Sequence, residues 1–174
     1  GSAVSAVAGN QVVIFALGDD RFAVDVGQVR EVLRTPPLTR LPGAPEYVRG
    51  VANLRGEVVP VVDLRVKLGE PEGDHEDTRV VVCELEGEVI GIEVDEVQEV
   101  ATLDPEQIHP APRRWVEQSQ QAVTGIARLD EELILVVDLA RLLKTDLEIS
   151  LEALRQAREE AGEAVTAAEG DQQA

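Results

Sequence analysis

Two stretches of this chain occur twice, in the same order and without gaps. GVANLRGEVVPVVDLRVKL, from Gly50 to Leu68, returns as GIARLDEELILVVDLARLL from Gly125 to Leu143. Ahead of each copy runs a second matched pair, FALGDDRFAVDVGQVREV from Phe15 to Val32 and CELEGEVIGIEVDEVQEV from Cys83 to Val100. The offsets are 68 and then 75 positions, so one small unit has been duplicated and fused. Whatever fold the unit adopts must be made twice, and each copy serves as a control on the other.

The repeated unit is rich in strand formers. Gln11 to Leu17 and Arg21 to Val26 flank Gly18-Asp19-Asp20, the turn chemistry of a hairpin, and Arg79 to Leu85 and Val89 to Val94 repeat it around Glu86-Gly87-Glu88. Val51 to Leu54 and Val58 to Val62 form another hairpin around Arg55-Gly56-Glu57, answered by the segment ending in Leu133 to Val137. Pro60 cannot donate to a ladder, so its strand is expected at an edge, or with one unpaired side there. Between Gly27 and Arg34 the apolar residues Val29, Val32 and Leu33 fit one side of a short helix, ended by Pro36 and Pro37. Val97 to Leu103 reads as strand or short helix.

Composition agrees with a β fold and narrows the function. The chain has 174 residues, 44% of them apolar and only 2% aromatic, so its core is built from aliphatic and β-branched side chains. A formal charge of −18 repels phosphate backbones and anionic headgroups, which argues against nucleic acid and membrane surfaces as partners. No stretch has the apolar length of a bilayer span, and the start lacks a secretory pattern. Residues 1–10 read as a flexible N-terminus in which Gly1-Ser2 is a cloning scar, and the cytosol is the simplest location. The lone Cys83 lies inside a strand pattern as a small buried group. Glu70 to Asp77, EPEGDHED, is an acidic linker between the halves. Beyond Lys144 the chain is acidic, with Ser150 as a helix cap and Leu151, Leu154, Ala161 and Val165 at helical spacing.

The motifs of catalysis are missing. His75 and His109 stand far apart, and no metal-ligand spacing, phosphate loop or nucleophile elbow is present, so neither metal nor cofactor nor enzymatic activity is expected. The duplicated Asp63 and Asp138 suggest the two carboxylates of an aspartic protease. They stand instead in Val-Asp-Leu, ahead of short helical segments, where Asp reads as an N-cap.

FALGDDRFAVDVGQVREVLR, followed by TRLPGAPEYVRGVANLRGEVVPVVDLR, resembles the CheW family of bacterial chemotaxis coupling proteins from about Gln11 to about Leu143. GVANLRGEVVPVVDLR is the most specific part. The resemblance implies a mainly β fold of two five-stranded SH3-like β-barrel subdomains from the duplication, with short helices and a C-terminal helix. The domain would span 11–145, barrel one about 11–69 and barrel two about 79–143, with strands free to exchange between them, and 146–174 would be an acidic helix or tail.

The resemblance also implies a non-catalytic adaptor, cytoplasmic and recruited to receptor arrays at the inner membrane. It would join the cytoplasmic tip of a methyl-accepting chemoreceptor to the regulatory domain of the histidine kinase CheA. Receptor coupling would fall on Val29, Glu31 and Arg55, with Val94 and Val97 lining the far side of a groove between the barrels. The kinase would meet Leu41, Glu57 and Val58. Arg55-Gly56 becomes Asp130-Glu131 in the second copy, so the hairpin does not require Arg-Gly, which favours a function for Arg55. Glu31 has its counterpart in Glu99, which a scaffold requirement would also produce, and a valine such as Val29 or Val97 serves a core as well as an interface. The chain is too short to carry the receiver domain of the relative CheV. Two other readings are an adaptor in a related array controlling twitching or second messengers, and a double barrel binding a small ligand in a Val-rich groove between the halves.

Overall fold

Both faces of the first hairpin are apolar, and the fold uses both. In the computed structural model, which describes residues 11–68, 76–118 and 122–144, β1 (Gln11–Leu17) and β2 (Asp20–Asp25) are followed by a 3-10 turn at Val26–Gln28. Next come β3 (Val29–Arg34), β4 (Val48–Leu54), β5 (Glu57–Asp63) and helix α1 (Leu64–Leu68). The second copy supplies β6 (Arg79–Leu85), β7 (Glu88–Val94) and β8 (Glu96–Thr102). It continues with a 3-10 turn at Pro105–Gln107, β9 (Ile108–His109), α2 (Arg113–Gln118), β10 (Val123–Leu129), β11 (Glu132–Val137) and α3 (Leu139–Leu142). The fold is mainly β, with two sheets and a few short helices.

The sheets do not divide where the repeats do. One runs β8-β1-β2-β11-β10-β9 and the other β3-β6-β7-β5-β4. The opening hairpin of each copy is thus built into the sheet that holds the other copy's closing hairpin. The exchange is reciprocal, since β3 lies antiparallel to β6 as β8 does to β1, and β5 runs parallel to β7 as β11 does to β2.

Such pairing gives three small cores. Val13, Phe15 and Leu17 of β1 meet Val81, Cys83 and Leu85 of β6 between the sheets. The opposite face of β1, Val12 and Ile14, packs with Ala127 and Ile134, and that of β6, Val80 and Val82, with Ala52 and Val61. A strand buried on both faces reads as an unbroken apolar run, which is what these segments show. Within the inter-sheet core Phe15 stacks on Phe22 with ring centroids 5.7 Å apart.

One local expectation is corrected, and another, on Pro60, holds in the second of its two forms. The segment from Gly27 to Arg34 is a 3-10 turn and a strand: Val29, Glu31 and Leu33 are half-buried while Arg30, Val32 and Arg34 are exposed, a period of two. Valines at 29 and 32 suit either period, and pairing with β6 decides for the strand. Its counterpart at Val97 is strand as well. Pro60 lies in an interior strand, between β4 and β7. Val51, opposite it, gives its N–H and C=O to Thr39 at 2.8 and 2.9 Å, so the ladder asks Pro60 for no donor on that side. On the other side, pairing with β7 begins only at Val61.

The N-terminus over 1–10, most of the linker with His75, and the C-terminal helix expected from Ser150 lie outside the described residues.

Cys83 is fully buried between the sheets, and burial pushes its thiol from 9.0 up to about 12. A pKa raised on folding adds stability that is complete below the unfolded thiol's value and is lost as pH rises through the folded one. Stability should therefore fall between pH 9.0 and about 12, and replacement by Ala should remove that part of the decline. Thiol labelling of the native chain at pH 8, compared with labelling in denaturant, checks the same burial: the folded protein should react only at the rate at which it opens.

Candidate functional site

Arg55 and Gly56 form a two-residue turn with φ of 53° and 85°, the left-handed pair that a tight hairpin requires. Gly suits that geometry, and Arg55 shares its left-handed φ with Glu86 and Asp130, which open the turns of two other hairpins. Asn53 supports the turn by accepting the Gly56 N–H at 3.0 Å. The guanidinium of Arg55 reaches across to Glu31 on β3, one donor standing 3.2 Å from Oε1 and a second paired with Oε2. The bond to Glu31 raises the Arg55 pKa above its ordinary value.

β3 and β4 are the two edges of the five-stranded sheet. The pair joins Glu31 on edge strand β3 to the turn that ends edge strand β4, so the sheet is curved enough for a long side chain to span from one to the other. Arg30 on β3 adds two more pairs, with Glu57 beside the same turn at 3.1 Å and with Glu84 on the neighbouring β6 at 2.9 Å. Five charged side chains, Arg30, Glu31, Arg55, Glu57 and Glu84, thus form one surface patch. The turn of the second copy, Asp130-Glu131, keeps left-handed φ of 50° and 67° without the arginine. Among the described residues Glu99 has no ion pair, so the Glu31–Arg55 contact is not a requirement of the hairpin.

The remaining expected residues separate. Val29 and Val97 are half-buried at the margin of the inter-sheet core. Val94 is fully buried within that core, so its side chain cannot line a groove for a partner: β7 turns Ile90, Ile92 and Val94 inward together. Glu57 is exposed and Val58 half-buried at the turn end of β5, and Leu41 is half-buried in the loop tied to β4 through Thr39 and Val51. Asp63 and Asp138 each cap their own helix, accepting from Arg65 N at 2.9 Å and from Arg141 N at 3.2 Å.

Sequence reasoning missed the buried Arg65. Its side chain is 2% exposed and holds Asp63 at 3.1 Å, Glu93 at 2.9 Å and Asp95 at 3.0 Å. Arg49 adds a second cation on Glu93 at 3.1 Å, and the Thr35 hydroxyl donates to the same carboxylate at 3.2 Å. Burial pulls the guanidinium's pKa down, and Asp63, Asp95 and Glu93 together outweigh it, leaving it above its ordinary value. The cluster joins β5 and α1 of the first copy to β7 of the second. The one signal for it in the sequence was the replacement of Arg65 by Ala140 in an otherwise matched Val-Asp-Leu context.

Residues 11–147 match the family model of the CheW-like domain. A chemotaxis protein CheW of Klebsiella aerogenes is 37% identical over 139 residues, which cover 79% of this chain and 84% of the relative. A probable chemotaxis protein CheW of Rhizobium etli is 34% identical, covering 76% and 86%. Protein PilI of Pseudomonas aeruginosa is 42% identical over 84 residues, 48% of this chain and 47% of PilI. The crystal structure of the scaffolding protein TtCheW from Thermoanaerobacter tengcongensis superimposes with a TM-score of 0.68 at 34% identity, covering 74% of this chain and 88% of that one. With the match spanning both repeats and both sheets, the chain belongs to the CheW-like domain family.

Proposed function

We propose that this protein is a non-catalytic adaptor that couples the cytoplasmic tips of chemoreceptors to the regulatory domain of the histidine kinase CheA in arrays at the inner membrane. The observation that carries the reading is the Arg55–Glu31 pair: the fold manages without it in the second copy, and it stands on the strand edge beside Val29. The receptor surface comprises Val29, Glu31, Arg55 and Val97, and the kinase surface Leu41, Glu57 and Val58. An adaptor acts through geometry: paired interfaces hold two partners at fixed spacing, so that a rearrangement of one biases the other. The identity to PilI supports a second reading, the same role in a related chemosensory array.

Calorimetric titration against the cognate CheA regulatory domain and a receptor-tip fragment tests the proposal. Arg55→Glu sets like charges against Glu31 on an exposed turn, so the circular dichroism spectrum stays unchanged while receptor affinity falls about tenfold or more. Val58→Asp, also folded, should weaken the kinase and spare the receptor. The absence of any saturable heat with either partner, or a collapsed spectrum for Arg55→Glu, would overturn the assignment.

A further inference from the structure

The duplication allows equivalent positions to be compared within one molecule. The chain passes between sheets twice, at 25–28 between β2 and β3 and at Asp95 between β7 and β8. These crossings correspond at the offset of 68, Asp25 answering Glu93 and Gly27 answering Asp95. Their chemistry differs. At the second crossing Asp95 accepts from Arg65 at 3.0 Å and, through its other oxygen, from Gly18 N in the β1–β2 turn at 2.6 Å, while its own N–H donates to Ala16 O at 3.1 Å. Sheet, turn and helix are tied through one carboxylate. At the first crossing the bonds are local: Gly27 N donates to Asp25 Oδ1 at 2.8 Å and Val29 N to Val26 O. The place of Arg65 is taken there by Ala140.

We infer that the Arg65 cluster is a one-sided lock, which holds the β7–β8 crossing fixed and leaves Val26–Gln28 as a hinge on which β3, with Glu31, opens from the rest of the fold. Either opening must release an edge-strand ladder, β8 from β1 or β3 from β6; beyond that, opening at Asp95 would part a buried guanidinium from its carboxylate, whereas opening at 26–28 breaks only two local turn bonds and lifts half-buried Val26. β3 and β8 are otherwise matched edge strands, each paired with one neighbour. The ion pairs of Arg30 and Arg55 brace β3 in the closed position, but they are exposed and yield to salt, while the Arg65 cluster does not. The inference does not depend on the adaptor reading, and its test uses the chain alone.

The test is native-state amide exchange on the full chain at low and high salt, comparing Val29–Leu33 with their counterparts Val97–Ala101. The β3 amides should exchange about tenfold faster, by a margin that widens with salt. Asp25→Glu, Gly27→Asp and Ala140→Arg together rebuild the cluster at the first crossing. A Cβ at Gly27 meets nothing closer than Asp25 Oδ1 at 3.2 Å, the carboxylate that the same variant replaces. In that variant the difference should close. Arg65→Lys, which keeps the charge and loses the fork, should raise exchange in β8 and leave β3 unchanged. Equal exchange of the two strands in the native chain, or an equal rise in both strands for Arg65→Lys, overturns the lock.

Discussion

Arg65→Met should lower the free energy of unfolding by about 3–5 kcal/mol, because it leaves charges buried without their partner. Asp63 and Glu93 are 4% and 2% exposed in their side chains, and after the substitution the cation left beside them among the described residues is Arg49, itself 43% exposed. For a chain of this size the loss corresponds to a melting point lower by about 10 °C. Denaturant titration should show a lower midpoint at unchanged slope. Adding Asp63→Asn and Glu93→Gln to Arg65→Met should recover part of the loss, since the uncompensated charges go with the cation. A loss below about 1 kcal/mol for Arg65→Met would mean that the carboxylates find water or other donors, and that the cluster is not what ties the two copies together.

Gly50→Ala should be the most damaging glycine-to-alanine substitution among the described residues. Gly50 sits at φ 142°, and a Cβ there would lie 2.3 Å from Thr39 O and 2.8 Å from Thr39 C, both backbone atoms that no rotamer can move. The strand irregularity at 48–50 lets Thr39 pair with Val51 at this place, and the methyl would force the two backbones apart. A loss of about 3 kcal/mol or more is expected, with the Val51 amide losing its protection. Gly56→Ala provides the contrast: a Cβ at Gly56 meets open space, so only the left-handed φ of 85° opposes it, and the cost should be about 1 kcal/mol. Equal effects at the two glycines would show that the approach of Thr39 is not tight in solution.

The hairpins were legible because turn chemistry is local. Gly18-Asp19, Arg55-Gly56 and Glu86-Gly87 announce themselves within a few residues, and Asp63 and Asp138 were recognisable as caps from the helix start beside them. β3 was not legible as a strand, since its valines satisfy both periods and the backbone partners that decide between them lie on β6, some fifty positions away. Val94 shares one face of β7 with Ile90 and Ile92 while Glu93 stands on the other, so the sequence marks that face as apolar, but what the face packs against is decided by strands distant in sequence. Of the charged patch, Glu31, Arg55 and Glu57 came from the family resemblance, and Arg30 and Glu84 emerged only with the pairing of β3 and β6.

By itself the sequence determined that one β unit is used twice, where its turns fall, and to which family the chain belongs, because these are encoded in residue order and in neighbours along the chain. The tertiary structure alone decided that the two opening hairpins change places, that Pro60 stands inside a sheet, and that Arg65 becomes the buried centre of three carboxylates. Strand partners and burial are properties of residues distant in sequence. A pattern apolar on both faces fits several pairings equally well, and only packing selects among them.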